Sequence, residues 1–283
     1  MFRHHLIPAL GSAALLGTLP AVLPAAPASA STPGCYGDCQ PGVVRSAGVL
    51  KYDTLLGVND QITVAISGGI LTVTNPAGTL TAGPGCTLVD RHQARCQAAA
   101  NTFMISLRSL DGADTITNAT GIPSLLRAGD GNDRLSGGSG TDTLSGGFGS
   151  DVMQGGGGSD TAAYSEVGNR LGVRADLDGA AGDDGSSEDG PANARDTIAA
   201  DVESVVGTGA DDELTGNAGP NTIDGNGGRD RVLGLGGDDE ITARGGGTLD
   251  GGAGADHCTS DLRLAPNPVD VFVGCERTDV ITP

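Results

Sequence analysis

The chain has 283 residues, with 35 Asp and Glu against 16 Lys and Arg and a formal charge of −19. That balance argues against nucleic acid and anionic membrane surfaces as partners. With 49 Gly, no Trp and 2% aromatic residues, bulky apolar volume is too scarce for one large globular core, and thin, quasi-one-dimensional packing is favoured.

Residues 1–30 read as an export signal. Arg3, His4 and His5 precede an apolar run from Leu6 to Leu23, and Ala28-Ser29-Ala30 is a small-residue cleavage site. Pro8, Gly11, Gly17, Pro20 and Pro24 interrupt the run, which argues against a membrane anchor. The mature chain is therefore expected to begin at Ser31 and to be secreted, extracellular, with non-covalent attachment to a cell surface left open. No later segment approaches the roughly 18 unbroken apolar residues of a membrane span, so membrane insertion is not expected. All six Cys follow the signal, and disulfides are expected in an oxidising compartment. Sequence neighbours suggest Cys35 with Cys39, Cys86 with Cys96 and Cys258 with Cys275, although other pairings are formally open. A zinc site is disfavoured, because no C-x-x-C or paired His accompanies the cysteines.

Residues 31–127 alternate apolar stretches, among them Ile62–Ile66 and Leu71–Val73, with Gly and Asn turns, and predict an N-terminal β-rich cap. From Ala128 the chain reads AGDGNDRLS, GGSGTDTLS, GGFGSDVMQ and GGGGSDTAA, four units of nine ending at Ala163. Gly131, Gly140, Gly149 and Gly158 hold the fourth place; Asp133, Asp142, Asp151 and Asp160 hold the sixth; Leu135, Leu144, Met153 and Ala162 hold the eighth. SLDGADTIT at 109–117 puts Asp114 and Ile116 in the sixth and eighth places, so 109–127 is expected to form a degenerate coil. Residues 164–206 break the period as an acidic insert, with a predicted strand at Leu171–Leu177 and a polar loop from Asp178 to Asp196. Asp183, Asp184, Glu188 and Asp189 there read as a solvated surface more readily than as a cation site. A second array, 207–259, runs GTGADDELT, GNAGPNTID, GNGGRDRVL and GLGGDDEIT, then ARGGGTLD, one residue short, then GGAGADHCT. Residues 260–283 are expected to close the structure as a C-terminal cap.

Fixed places for Gly, Asp and an aliphatic residue separate these units from a flexible linker of the same composition. They match the G-G-x-G-x-D-x-U-x motif, and in it the chain resembles the repeats-in-toxin, or hemolysin-type, calcium-binding proteins. A looser resemblance to secreted actinobacterial proteins of this type extends over the flanks. The implied fold is all-β: a right-handed parallel β-roll or β-helix solenoid with Gly- and Asp-rich turns.

The spacing has its own physical reason. Gly tolerates φ > 0, so six residues can turn with their carbonyls inward, and the last three form a strand with one side chain facing the interior. Two nonapeptides make a coil, which stacks units n and n+2 about 4.8 Å apart. Stacked carbonyls and paired carboxylates suit calcium, which accepts six to eight oxygens. Asp133 is then expected to face Asp151, Asp142 to face Asp160, and Asp212 to face Asp230. Asn221 opposite Asp239 is expected to be a weaker site, and Asp256 a doubtful ligand because the short unit should disturb the register.

No catalytic residues are expected. The largest non-repeat stretch lacks H-E-x-x-H and G-x-S-x-G, and His92 reads as an exposed turn residue. A secreted polysaccharide-active enzyme is the least favoured reading, since the many carboxylates are better explained as ligands and aromatic sugar platforms are almost absent. The favoured function is a calcium-binding protein whose β-roll folds on binding calcium ions outside the cell. The alternative is a calcium-dependent adhesive or matrix protein whose partner is a cell surface, a matrix or a second copy of the chain.

Overall fold

An aliphatic residue repeated every nine positions, alternating between two sides of a coil, should lay strands in parallel with a step of 18 residues. The computed structural model describes residues 42–46, 48–98, 104–165, 171–191, 195–263 and 270–282. The expected export signal and the expected pairing of Cys35 with Cys39 lie outside them. In the first array Arg134–Gly138 pairs in parallel with Val152–Gly156, setting Leu135 opposite Met153. On the other side Ser124–Asp130, Asp142–Phe148 and Thr161–Ala163 stack in parallel, with Leu126, Leu144 and Ala162 in line. The second array repeats the arrangement with Leu214 opposite Val232 and Ile223 opposite Ile241.

The eighth-place residues form the core. Leu135, Leu144, Met153, Ala162, Leu214, Ile223, Val232, Ile241 and Cys258 are all buried, joined by Ile62, Ile116, Ile198 and Val205 from outside the arrays. The result is an all-β parallel solenoid. One side is a continuous 12-stranded sheet, while the other divides into an 8-stranded and a 5-stranded sheet.

The division falls at the insert. Its strand Arg174–Asp176 begins the 5-stranded sheet beside Glu213–Thr215, while Thr197–Ile198, later in sequence, ends the 8-stranded sheet beside Val152–Gly156. Asp184 and Gly185 lie between them as antiparallel bridges to Asp196 and Arg174 respectively. The chain thus runs ahead, lays a strand, returns through Asp184–Gly185, and only then resumes the coil. Ser204–Val206 completes the insert by continuing the large sheet between Thr161–Ala163 and Thr222–Asp224. The predicted strand at Leu171–Leu177 is present over its centre, but the predicted polar loop is not wholly a solvated surface: Asp184, Asp189 and Asp196 are buried, because the loop folds back onto the coil through the bridges of Asp184 and Gly185.

The shortened unit does not disturb the register, contrary to the expectation from sequence. Arg231 pairs with Thr248 and Glu240 with His257, so both sides simply step by 17 residues. The missing residue is absorbed in the turn before Thr248, where the backbone approaches the preceding coil closely: a Cβ on Gly245 would lie 1.0 Å from the Gly228 carbonyl oxygen.

Both ends are covered by irregular strands, as an open sheet edge requires. At the N-terminal end Gln61–Ser67 joins Thr115–Ala119 in parallel and starts an antiparallel meander through Ile70–Thr74, Gln93–Gln97 and Cys86–Asp90. The Cys86–Cys96 disulfide links the last two of these strands. His92 sits at their turn, half-buried, with Nδ1 2.7 Å from the Gly78 carbonyl oxygen. At the C-terminal end Arg277–Ile281 stacks on His257–Asp261, and Cys258, turned inward at the eighth place, is bonded to Cys275.

Candidate metal centres

The sixth-place residues line up along the edges of the coil because their strands are in register. On one edge the N–H of Asp60 donates to Oδ1 of Asp114 (2.6 Å), Asp114 to Asp133 (2.7 Å), Asp133 to Asp151 (2.9 Å) and Asp151 to Asp196 (3.0 Å). On the other, Asp142 donates to Asp160 (2.8 Å) and Asp160 to Glu203 (2.9 Å). That edge continues with Asn221 donating to Asp239, Asp239 to Asp256 and Asp256 to Glu276. In the second array the N–H of Asp212 donates to Asp230 at 3.1 Å. Every pair expected from the 18-residue coil is brought together, and Asp256 stands in the row with the rest.

In Asp114, Asp133, Asp151, Asp160, Asp196, Asp230, Asp239 and Asp256 one oxygen accepts from this ladder and the other is left over; Asp142 has neither oxygen partnered, and Oδ1 of Asp60 accepts instead from the Asn75 amide. Oδ2 of Asp60, Asp114, Asp133, Asp142, Asp151, Asp160, Asp196, Asp230, Asp239 and Asp256 is buried without a hydrogen-bond partner. A buried anionic oxygen with no partner is costly, and so many in rows call for a cation or a proton. The turn is shaped around these atoms. A Cβ on Gly146, in the first place, would lie 2.1 Å from Oδ2 of Asp151, and one on fourth-place Gly149 would lie 1.7 Å from the Gly131 carbonyl oxygen of the coil beneath.

Burial raises the carboxyl pKa values, and neighbouring carboxylates add to the rise while backbone N–H donors oppose it. Asp133 is pushed up to about 7, Asp151 to about 8, and Asp160 to about 6. Asp230 reaches about 8 and Asp239 about 6. Asp196 is raised to about 9, by burial and then by the charge of Asp151.

Two predicted residues differ from the rest. Asp212 is fully occupied, accepting from the N–H of Val173 and from both the N–H and the hydroxyl of Thr208. The Asn221 carbonyl accepts from the Asn217 N–H, and its amide donates to the Glu203 carbonyl. Thr208 and Asn217 stand in the second place, where the first array has Gly, so the first two turns of the second array satisfy their own sixth-place side chains. Asp230, Asp239 and Asp256 keep a free oxygen. Sequence reasoning passed over Asp60, Asp196, Glu203, Asp270 and Glu276, which occupy sixth-place positions outside the recognisable units. Their shared signal is an acid two residues before the inward position, as in Asp60-Gln61-Ile62 and Asp196-Thr197-Ile198. Elsewhere in the insert, carboxylate oxygens of Asp176, Asp178 and Asp183 lie within 4.8 Å of one another, with Asp178 exposed.

The model of the RTX calcium-binding nonapeptide repeat (4 copies) matches residues 127–162 and 206–241. Over these segments the two arrays are similar to RTX repeats. The matched segments take in the first four units of each array and leave the degenerate coil, the insert and both caps outside. Comparison of the chain with curated proteins gives no match. RTX repeats bind calcium, and the donor set fits that ion: the rows contain hard carboxylate and carbonyl oxygens, with no thiolate or imidazole in the sixth place. The orphaned oxygens fit on the same grounds, since a divalent cation satisfies them where no protein donor does.

Proposed function

We propose that this is a secreted calcium-binding protein whose β-roll completes its fold on binding calcium outside the cell. The row of buried carboxylate oxygens without hydrogen-bond partners carries this reading. Asp133 with Asp151, Asp142 with Asp160, and Asp239 with Asp256 are the pairs best suited to hold ions, because both members keep a free oxygen. Asp230 contributes a single free carboxylate oxygen opposite Asp212, and Asp239 does so opposite Asn221, so these are the weaker positions. Calcium supplies the positive charge that allows the stacked turns to approach. Binding that ion in the folded state and not in the unfolded one makes its binding energy folding energy. The low calcium inside cells keeps the chain unfolded and exportable, and extracellular calcium near the millimolar regime of weak extracellular modules completes the fold.

Far-ultraviolet circular dichroism of the chelated chain, titrated with calcium and separately with magnesium, tests this. A β signal that develops with calcium alone is expected. A signal already complete in chelator, or one that magnesium restores equally, would overturn metal-coupled folding specific for calcium.

A further inference from the structure

On the Asp151 edge, the turn of the third unit is the last of the first array and has no nonapeptide stacked on it; the insert takes that place. Asp196 continues the carboxylate row, with Oδ1 accepting from the Asp151 N–H at 3.0 Å, and the hydroxyl of Ser150 donates to the Arg195 carbonyl at 2.7 Å. Asp189 folds over the same turn, its Oδ1 3.5 Å from the Gly149 nitrogen and its Oδ2 accepting from the Ser186 N–H. Resting on the calcium reading above, we propose that Asp189 and Asp196 of the insert, which lie outside the matched repeats, form an additional calcium site together with Asp151 at the edge of the first array.

Three observations carry it. Asp151 and Asp196 are each 0% exposed, and Oδ2 of both lacks a partner. Asp189 and Asp196 converge: Oδ2 of the two lie 2.7 and 2.8 Å from the point where a Cβ of Gly185 would stand, so the glycine at that bridge makes room for both. None of the ion pairs among the described residues reaches Asp151, Asp189 or Asp196, and the nearby Arg195 directs Nε to the Gly190 carbonyl. Three buried carboxylates without a basic partner form a hard, anionic oxygen site, the chemistry calcium takes. The insert is then a metal-linked joint between the two arrays, since the same segment carries the bridges to Arg174 and Asp196 that connect the divided sheet.

Tyr164 offers a local reporter. Its side chain is buried, its hydroxyl makes no hydrogen bond shorter than 3.5 Å, and Asp196, close enough to interact with that hydroxyl directly, acts on it together with Asp184 and Asp189. A terbium ion, which takes calcium sites, emits when excited through a neighbouring tyrosine but not through phenylalanine. The paired variant Asp189→Asn and Asp196→Asn keeps the hydrogen-bond acceptors and removes the charge. Equilibrium dialysis should show one calcium fewer per chain, with the calcium-induced β signal retained. An unchanged count overturns the site while leaving the repeat sites intact; a wild-type chain that takes up no calcium overturns the underlying reading as well. Tyr164→Phe checks the location without touching a carboxylate. Tyrosine-excited terbium emission should fall with the calcium count unchanged, and emission equal to wild type would place no ion beside Asp196.

Discussion

Acidification should fold the calcium-stripped chain. Asp151 and Asp230 are pushed to about 8 by burial, and Asp133 to about 7, against about 4 for a carboxyl in the unfolded chain. Holding one such group ionised in the metal-free fold costs on the order of 5 kcal/mol at pH above 8, at about 1.4 kcal/mol per pH unit of displacement. Several at once rival the roughly 5–15 kcal/mol that stabilises a typical domain. The sign follows from proton uptake. Between about pH 4 and 8 the folded metal-free chain holds protons that the unfolded chain has released, so its stability is greatest at the acid end and is lost as pH rises through 8. Circular dichroism in chelator at pH 5.5 and 8.5 should show more β structure at 5.5, both values lying above the isoelectric point near 4.2. With calcium present the dependence reverses in affinity, because protons and calcium compete for the same oxygens and the calcium midpoint rises as pH falls. A chelated β signal that is flat, or that grows toward pH 8.5, would refute the link between the buried carboxyls and folding.

Replacing Asp142→Ala together with Asp160→Ala should raise the calcium concentration needed for folding at least severalfold in the same titration, since it empties one stacked pair; an unchanged midpoint would remove both from the coordination sphere. Leu235 holds φ at +74° in the second place, where the first array uses Gly129, Gly138, Gly147 and Gly156 at positive φ, and it is 51% exposed. Leu235→Gly should therefore stabilise the calcium-bound chain by about 0.5–1 kcal/mol, read as a rise of about 2 °C in Tm. Removing the Cys258–Cys275 bond with the double Ser variant should cost about 3 kcal/mol, given its separation of 17 residues, and should raise amide exchange first in Arg277–Ile281.

The period of nine carried most of the architecture. An aliphatic residue in every eighth place can be buried in only one way, so Leu135, Leu144, Ile223 and Ile241 went where the pattern put them, and the facing of Asp133 with Asp151 followed from counting. The two described disulfides followed from sequence proximity. What the pattern concealed came from backbone events that leave no periodic trace. The antiparallel bridges of Asp184 and Gly185 depend on the chain doubling back within the insert, and Asp196 reaches Asp151 across 45 residues. Asp60 meets Asp114 across 54 residues, from a turn in which Leu55 and Leu56 fill the first two places. The surviving acid-x-aliphatic triplet was readable there but is too short to stand out alone. The occupation of Asp212 was hidden for another reason. Thr208 replaces a Gly, and only the fold shows that its N–H and hydroxyl turn onto the carboxylate.

The most direct test is crystallographic: anomalous scattering from crystals of the chain grown in calcium, recorded at long wavelength where calcium scatters anomalously. Peaks about 2.3–2.6 Å from Oδ2 of Asp133, Asp151, Asp142, Asp160, Asp239 and Asp256 are the predicted result. Peaks confined to exposed surface acids, with the buried rows free of metal, would contradict the account and assign the orphaned oxygens to protons.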